Sequence, residues 1–133
     1  MVLEVAPNDK YAPMVTGVYN VYLAEKKAYE PRQNFHYDSE DNLIQSQYLP
    51  GSALREGYNN NLVMYYNKNL ARQRFTFDLE DHHIVCGDTQ NIVAVEEGLV
   101  GKVANLITKV NGLETRSMFE CDQNGQLGHE HHH

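Results

Sequence analysis

Residues 99–121, LVGKVANLITKVNGLETRSMFEC, decide how this chain is read. Asn111-Gly112 divides the stretch into two runs rich in β-branched and apolar residues. Asn-Gly suits a two-residue type I′ turn, whose central residues need positive φ and whose twist matches flanking strands. Two long paired strands are therefore expected. The turn sets their register, with Val110 opposite Leu113, Thr108 opposite Thr115, Leu106 opposite Ser117, Ala104 opposite Phe119 and Lys102 opposite Cys121. That face is apolar at Val110, Leu113, Leu106, Ala104 and Phe119, so it is the buried one. Thr108, Thr115, Ser117 and Cys121 add small groups able to hydrogen-bond a ligand or a water. The plainer account is that threonine is simply a good strand residue.

Outside this stretch the composition is that of an ordinary globular chain, with 133 residues, 41% hydrophobic and 22% charged. One domain over residues 1–128 is the expectation. No run approaches the roughly 18 apolar residues of a membrane span, and the start lacks the basic and apolar regions of a secretory signal. A cytoplasmic chain is expected, with secretion after signal removal as the alternative. A net charge of -7 argues against a nucleic-acid partner, which would select clustered Lys and Arg. Cys86 and Cys121 are too few for a disulfide scaffold, although neighbouring strands would allow one bridge.

Read in order, residues 1–13 contain Pro7, Asn8, Asp9 and Pro13 and suggest a flexible arm. Residues 15–29 fit a strand over 15–23 with a short helical turn, or one N-terminal helix. Phe35–Tyr37 and Leu43–Leu49 flank the polar loop 38–42 as a hairpin. Pro50-Gly51-Ser52 is a break, and Arg55–Asn61 reads as polar connecting chain. Leu62–Asn67 and Leu70–Leu79 are further strands, the second with Phe75, Phe77 and Leu79 inward and Arg72 and Arg74 outward. His82–Cys86 and Gln90–Glu97 follow.

Seven or eight short strands with tight polar turns point to an all-β, small antiparallel closed barrel, since closure removes exposed edges. The alternative is a curved antiparallel sheet packed on one N-terminal helix. In outline this is similar to the calycin group, which includes lipocalin-like binders and related cofactor-free cyclases and isomerases. The likeness rests on length and strand count, and the Gly-x-Trp signature of secreted lipocalins has no counterpart in a chain without tryptophan.

Such a barrel would hold a small hydrophobic or aromatic molecule against Leu106, Thr108, Thr115, Ser117, Phe119, Phe75 and Phe77. Were it an enzyme, it would be a cofactor-independent isomerase, cyclase or lyase, with Tyr66, Tyr48 and His82 as acid–base groups. All nine tyrosines lie in the first half, which equally suits a non-enzymatic interaction module or homodimer whose tyrosines form an interface. Glu80-Asp81-His82-His83 reads as a solvated turn. His82 and Cys86 share a face but lie roughly 13 Å apart on a strand, too far for a thiol–imidazole pair. No spacing assembles a metal site, no phosphate loop or other cofactor motif is present, and the His-rich residues 129–133 are set apart as a tail.

Overall fold

Alternating apolar residues at Leu3-Glu4-Val5, Val21-Tyr22-Leu23 and Phe35-His36-Tyr37 give half-buried strands, and short polar connections hold successive strands antiparallel. The computed structural model describes residues 1–9, 17–78, 80, 82–100, 103–110, 119–121 and 127–129. These form β1 (Val2–Asp9), β2 (Tyr19–Ala24), β3 (Phe35–Asp38), β4 (Leu43–Ser46), β5 (Ser52–Glu56), β6 (Leu62–Tyr66), β7 (Phe75–Asp78), β8 (His83–Cys86), β9 (Ile92–Val100), β10 (Val103–Lys109), β11 (Phe119–Cys121) and β12 (Leu127–His129). Single 3-10 turns occupy Pro31–Gln33, Tyr58–Asn60 and Ala71–Gln73, and no α-helix occurs among the described residues.

The strands form three four-stranded antiparallel meanders, β3-β4-β5-β6, β7-β8-β9-β10 and β11-β12-β1-β2. They meet through their last strands. Tyr19 pairs with Met64 and Asn20 with Val63 between β2 and β6, while Leu23 pairs with Ala104 and Tyr22 with Asn105 between β2 and β10. A single bridge, Asn61 to Ile107, links the ends of β6 and β10. The network is continuous but does not close into a barrel, and β3, β7 and β11 stand at its outer ends.

This arrangement is an internal threefold repeat, β1–β4, β5–β8 and β9–β12. Pairing places Leu3 opposite Leu23, Leu54 opposite Met64 and Val93 opposite Thr108; one step along, Val5 faces Val21, Glu56 faces Leu62 and Val95 faces Leu106. Of these twelve side chains, all but the half-buried Val95 are buried. The middle of the molecule is thus a packed core, where the sequence suggested a lumen. At one end of the junction the three repeats supply Asn20, Asn61 and Asn105. Asn105 Nδ2 donates to Asn61 Oδ1 (2.8 Å) and Glu96 Oε2 (2.7 Å), and Asn20 Nδ2 donates to Asn105 Oδ1 (3.2 Å).

Several expectations are corrected. The closed, lipocalin-like barrel is not formed, because β10 spends its second edge on β2, which brings its apolar face onto the shared core. β10 pairs with β9 across Val100–Val103, and the expected pairing of Ala104 with Phe119 is not formed: Ala104 lies opposite Leu99 and Leu23, while Phe119 and Cys121 pair with His129 and Leu127. The Asn111-Gly112 turn itself lies outside the described residues. The N-terminal helix of the alternative fold is absent, since Val21 and Leu23 bury one face of a strand. The arm at residues 1–13 contains β1, whose Leu3 and Val5 are fully buried. Arg55 and Glu56 belong to β5 rather than to connecting chain, and residues 71–73 form a 3-10 turn rather than a strand. Cys86 is a buried free thiol, so it forms no bridge with Cys121.

Thr108 sits where the other repeats carry Leu23 and Met64, and its buried hydroxyl has no partner among the described residues. An isosteric valine removes that unsatisfied group without opening a cavity. Thr108→Val is expected to stabilise the fold by about 1–3 kcal/mol in urea unfolding. A loss of stability of that size would show that the hydroxyl is bonded.

Candidate functional site

The repeats agree inside and differ outside, so the outer face is where a site is sought. The 3-10 turns after β2 and β6 are built alike. Gln33 Oε1 accepts from the Lys27 amide (3.0 Å) and its Nε2 donates to the Glu25 carbonyl (2.8 Å). Gln73 Oε1 accepts from the Lys68 amide (3.1 Å) and its Nε2 donates to the Tyr66 carbonyl (2.8 Å). Both glutamines are fully buried, so each replaces solvent for backbone groups that lie outside the ladders. This matching fixes equivalent positions: Lys27 with Lys68, Glu30 with Leu70, Arg32 with Arg72. Strand register adds Glu4 with Arg55 and Tyr22 with Val63.

In the first repeat these positions form a closed ionic cluster. Glu4, only 2% exposed, accepts from Tyr22 OH at 2.7 Å and from Gln33 Nε2 at 3.0 Å. Lys27 Nζ lies 3.9 Å and Arg32 Nη1 3.8 Å from its oxygens, and Arg32 Nε also binds Glu30 at 3.0 Å. A buried carboxylate persists because every neighbour is a donor or a cation. Burial, then the hydrogen bond to Glu4, pushes the Tyr22 phenol up to about 12. The Arg32 hydrogen bonds hold the Glu30 carboxyl below its ordinary value.

The second repeat has the opposite character. Arg55 replaces the glutamate and Leu70 replaces the other acid, while Lys68 and Arg72 remain. The Arg55 guanidinium stands 5.4 Å and the Lys68 ammonium 5.3 Å from the centre of the Tyr65 ring, within cation–π range. Tyr66 meets Tyr65 edge-on at 5.9 Å. Arg55 Nε is buried with no acceptor, and neither Arg55 nor Lys68 has an acidic partner among the described residues. Arg72 is shared with Asp88, 3.4 Å away. The result is a cationic and aromatic face on an acidic chain.

The residues singled out from sequence are distributed differently. Leu106, Thr108 and Phe75 are fully buried core residues, and Phe77 is packed against them. Thr115 and Ser117 lie outside the described residues, as does the side chain of Phe119, whose backbone belongs to β11. Tyr66 ends β6, is 57% exposed and packs on Gly17, where a Cβ would come within 2.7 Å of the ring. Tyr48 is exposed after β4. His82 has φ 56° in the turn between β7 and β8, matching Asn42 (φ 58°) between β3 and β4. Of these three, Tyr48 and Tyr66 are exposed and His82 shapes a turn. No group of three or more His, Cys, Asp or Glu residues suited to a metal occurs among the described residues, and none of their helices is long and apolar enough to cross a membrane.

Glu4, Arg55, Tyr65 and Lys68 escaped the sequence reading. Their signal is the repeat itself, visible in Gln33-Asn34-Phe35-His36-Tyr37-Asp38 and Gln73-Arg74-Phe75-Thr76-Phe77-Asp78. No protein-family model matches this chain, and no curated protein matches it.

The raised Tyr22 value has a testable consequence. Between about pH 10 and pH 12 the unfolded chain loses this proton while the folded chain keeps it, so stability falls as pH rises through that window. Melting temperatures of the wild type and Tyr22→Phe should therefore converge as pH rises from 9 to 12. A constant difference between the two curves would show that Tyr22 is not tied to Glu4.

Proposed function

We propose that this chain is a non-catalytic recognition module that binds an acidic polypeptide through the outer face of its second repeat. The observation that carries the reading is the pair of cations, Arg55 and Lys68, over the Tyr65 ring beside Tyr66, both lacking acidic partners among the described residues, with the half-exposed Arg72 on the turn that follows β6. Aromatic and arginine side chains supply much of the energy of protein interfaces, because they combine broad contact with fixed hydrogen-bond geometry. The face is open: Arg72 is half exposed and so is Tyr66. An open cationic surface suits an extended acidic chain better than a small molecule, which needs enclosure. A cyclase or isomerase chamber has lost its basis, since the interior that would contain it is filled by core side chains.

Poly-L-glutamate is the probe. Despite the net charge of -7, the wild type should bind it at low ionic strength, with affinity falling as salt is added. The double variant Lys68→Ser, Arg72→Ser should bind at least tenfold more weakly by calorimetry. Absence of binding by the wild type, or equal binding by the variant, contradicts the proposal.

A further inference from the structure

The first repeat shows what the second is missing. At equivalent positions, one repeat holds a carboxylate among Lys27, Arg32, Tyr22 and Gln33, and the other has Lys68 and Arg72 with a third cation where that carboxylate was rooted. Arg55 is anchored on β5, its backbone paired opposite Val63, as Glu4 is on β1 opposite Tyr22. The two side chains therefore leave corresponding points of the same scaffold. Glu4 satisfies its surroundings from within the chain. Arg55 does the reverse, leaving its Nε buried without an acceptor and its guanidinium over a tyrosine ring.

Resting on the reading of this face as a recognition surface, we infer that it contains a seat for a single carboxylate. An aspartate or glutamate side chain of the partner takes the place that Glu4 fills in the first repeat. Arg55 receives it through the N–H groups of its two terminal nitrogens, a planar fork that matches the two carboxylate oxygens. Lys68 contributes charge from beside the Tyr65 ring, and Leu70, which replaces Glu30, removes the acid that would compete for the site. Tyr65 holds the guanidinium over its ring at cation–π distance, which limits the entropy lost when the carboxylate arrives. The remaining positive charge attracts the rest of an acidic segment.

The test is an NMR titration with a capped tripeptide carrying one central glutamate, beside glutamine and phosphoserine versions. The glutamate peptide is expected to shift the Arg55 Nε–H and Tyr65 ring signals saturably, and the glutamine peptide to leave them in place. Arg55→Gln should weaken glutamate binding at least tenfold. Arg55→Glu places the chain's own carboxylate in the seat, so it should abolish binding while melting no lower than the wild type, with Lys68 and Arg72 as its new partners. If Arg55→Glu fails to fold, Arg55→Gln decides the matter. Unchanged affinity in Arg55→Gln, or tighter binding of the phosphoserine peptide, overturns the inference. Should poly-L-glutamate bind in the Lys68- and Arg72-dependent manner while the glutamate peptide leaves Arg55 unmoved, the seat is refuted and the recognition face stands. Should neither probe bind, both fail.

Discussion

Three short inner strands, β2, β6 and β10, must cover one another's apolar faces, and the rest of the molecule follows from that constraint. A single hairpin of strands this short is marginal in water, and a lone meander would leave one apolar face with nothing to pack against. Joining three of them along their last strands buries Val21, Leu62 and Leu106 together, with Leu3, Leu54 and Val93 behind. At the polar end of the junction Asn20, Asn61, Asn105 and Glu96 are joined by side-chain hydrogen bonds. These side-chain bonds join all three repeats, so they specify how the meanders meet as well as filling donor and acceptor sites.

Because the core layers are shared by all three repeats, a change there is felt by each sheet, and the equivalent positions remain mostly aliphatic. Two exceptions stand out. Glu56 occupies the layer of Val5 and Val95 and accepts a bond from Thr89 Oγ1 at 3.0 Å, and Thr108 occupies the layer of Leu23 and Met64. The outer positions carry no such constraint. There the same scaffold supports a neutralised ionic cluster around Glu4 in one repeat and unneutralised cations around Tyr65 in the next. The equivalent outer positions therefore diverge where the inner ones agree.

Much of the local structure was legible in the sequence. Alternation identified the hairpin of β3 and β4 and the strands β6, β8 and β9, and the turn at His82 was read as a turn. The architecture was not legible from those elements, since strand count and polar turns suit a barrel and a set of joined meanders equally well. Asn111-Gly112 carried a strong local signal, yet its register placed Phe119 opposite Ala104, whereas the partners of β10 are β9 and β2, a tertiary pairing that covers Leu106 and that no local signal announces. Pro7 and Asn8 disguised β1, because punctuating residues near a strand end outweighed the two apolar residues, Leu3 and Val5, that anchor it. The candidate site stayed hidden for a related reason: Arg55, Tyr65 and Lys68 acquire meaning only when set beside Glu4, Ala24 and Lys27, and that comparison requires the repeat.

The central claim, that three meanders meet through their inner strands, is tested most directly by cross-strand nuclear Overhauser contacts in the folded protein. The account predicts backbone contacts between Tyr19 and Met64 and between Leu23 and Ala104, which join β2 to both of its neighbours. Contacts between Ala104 and Phe119 in place of those between Ala104 and Leu23 would contradict it.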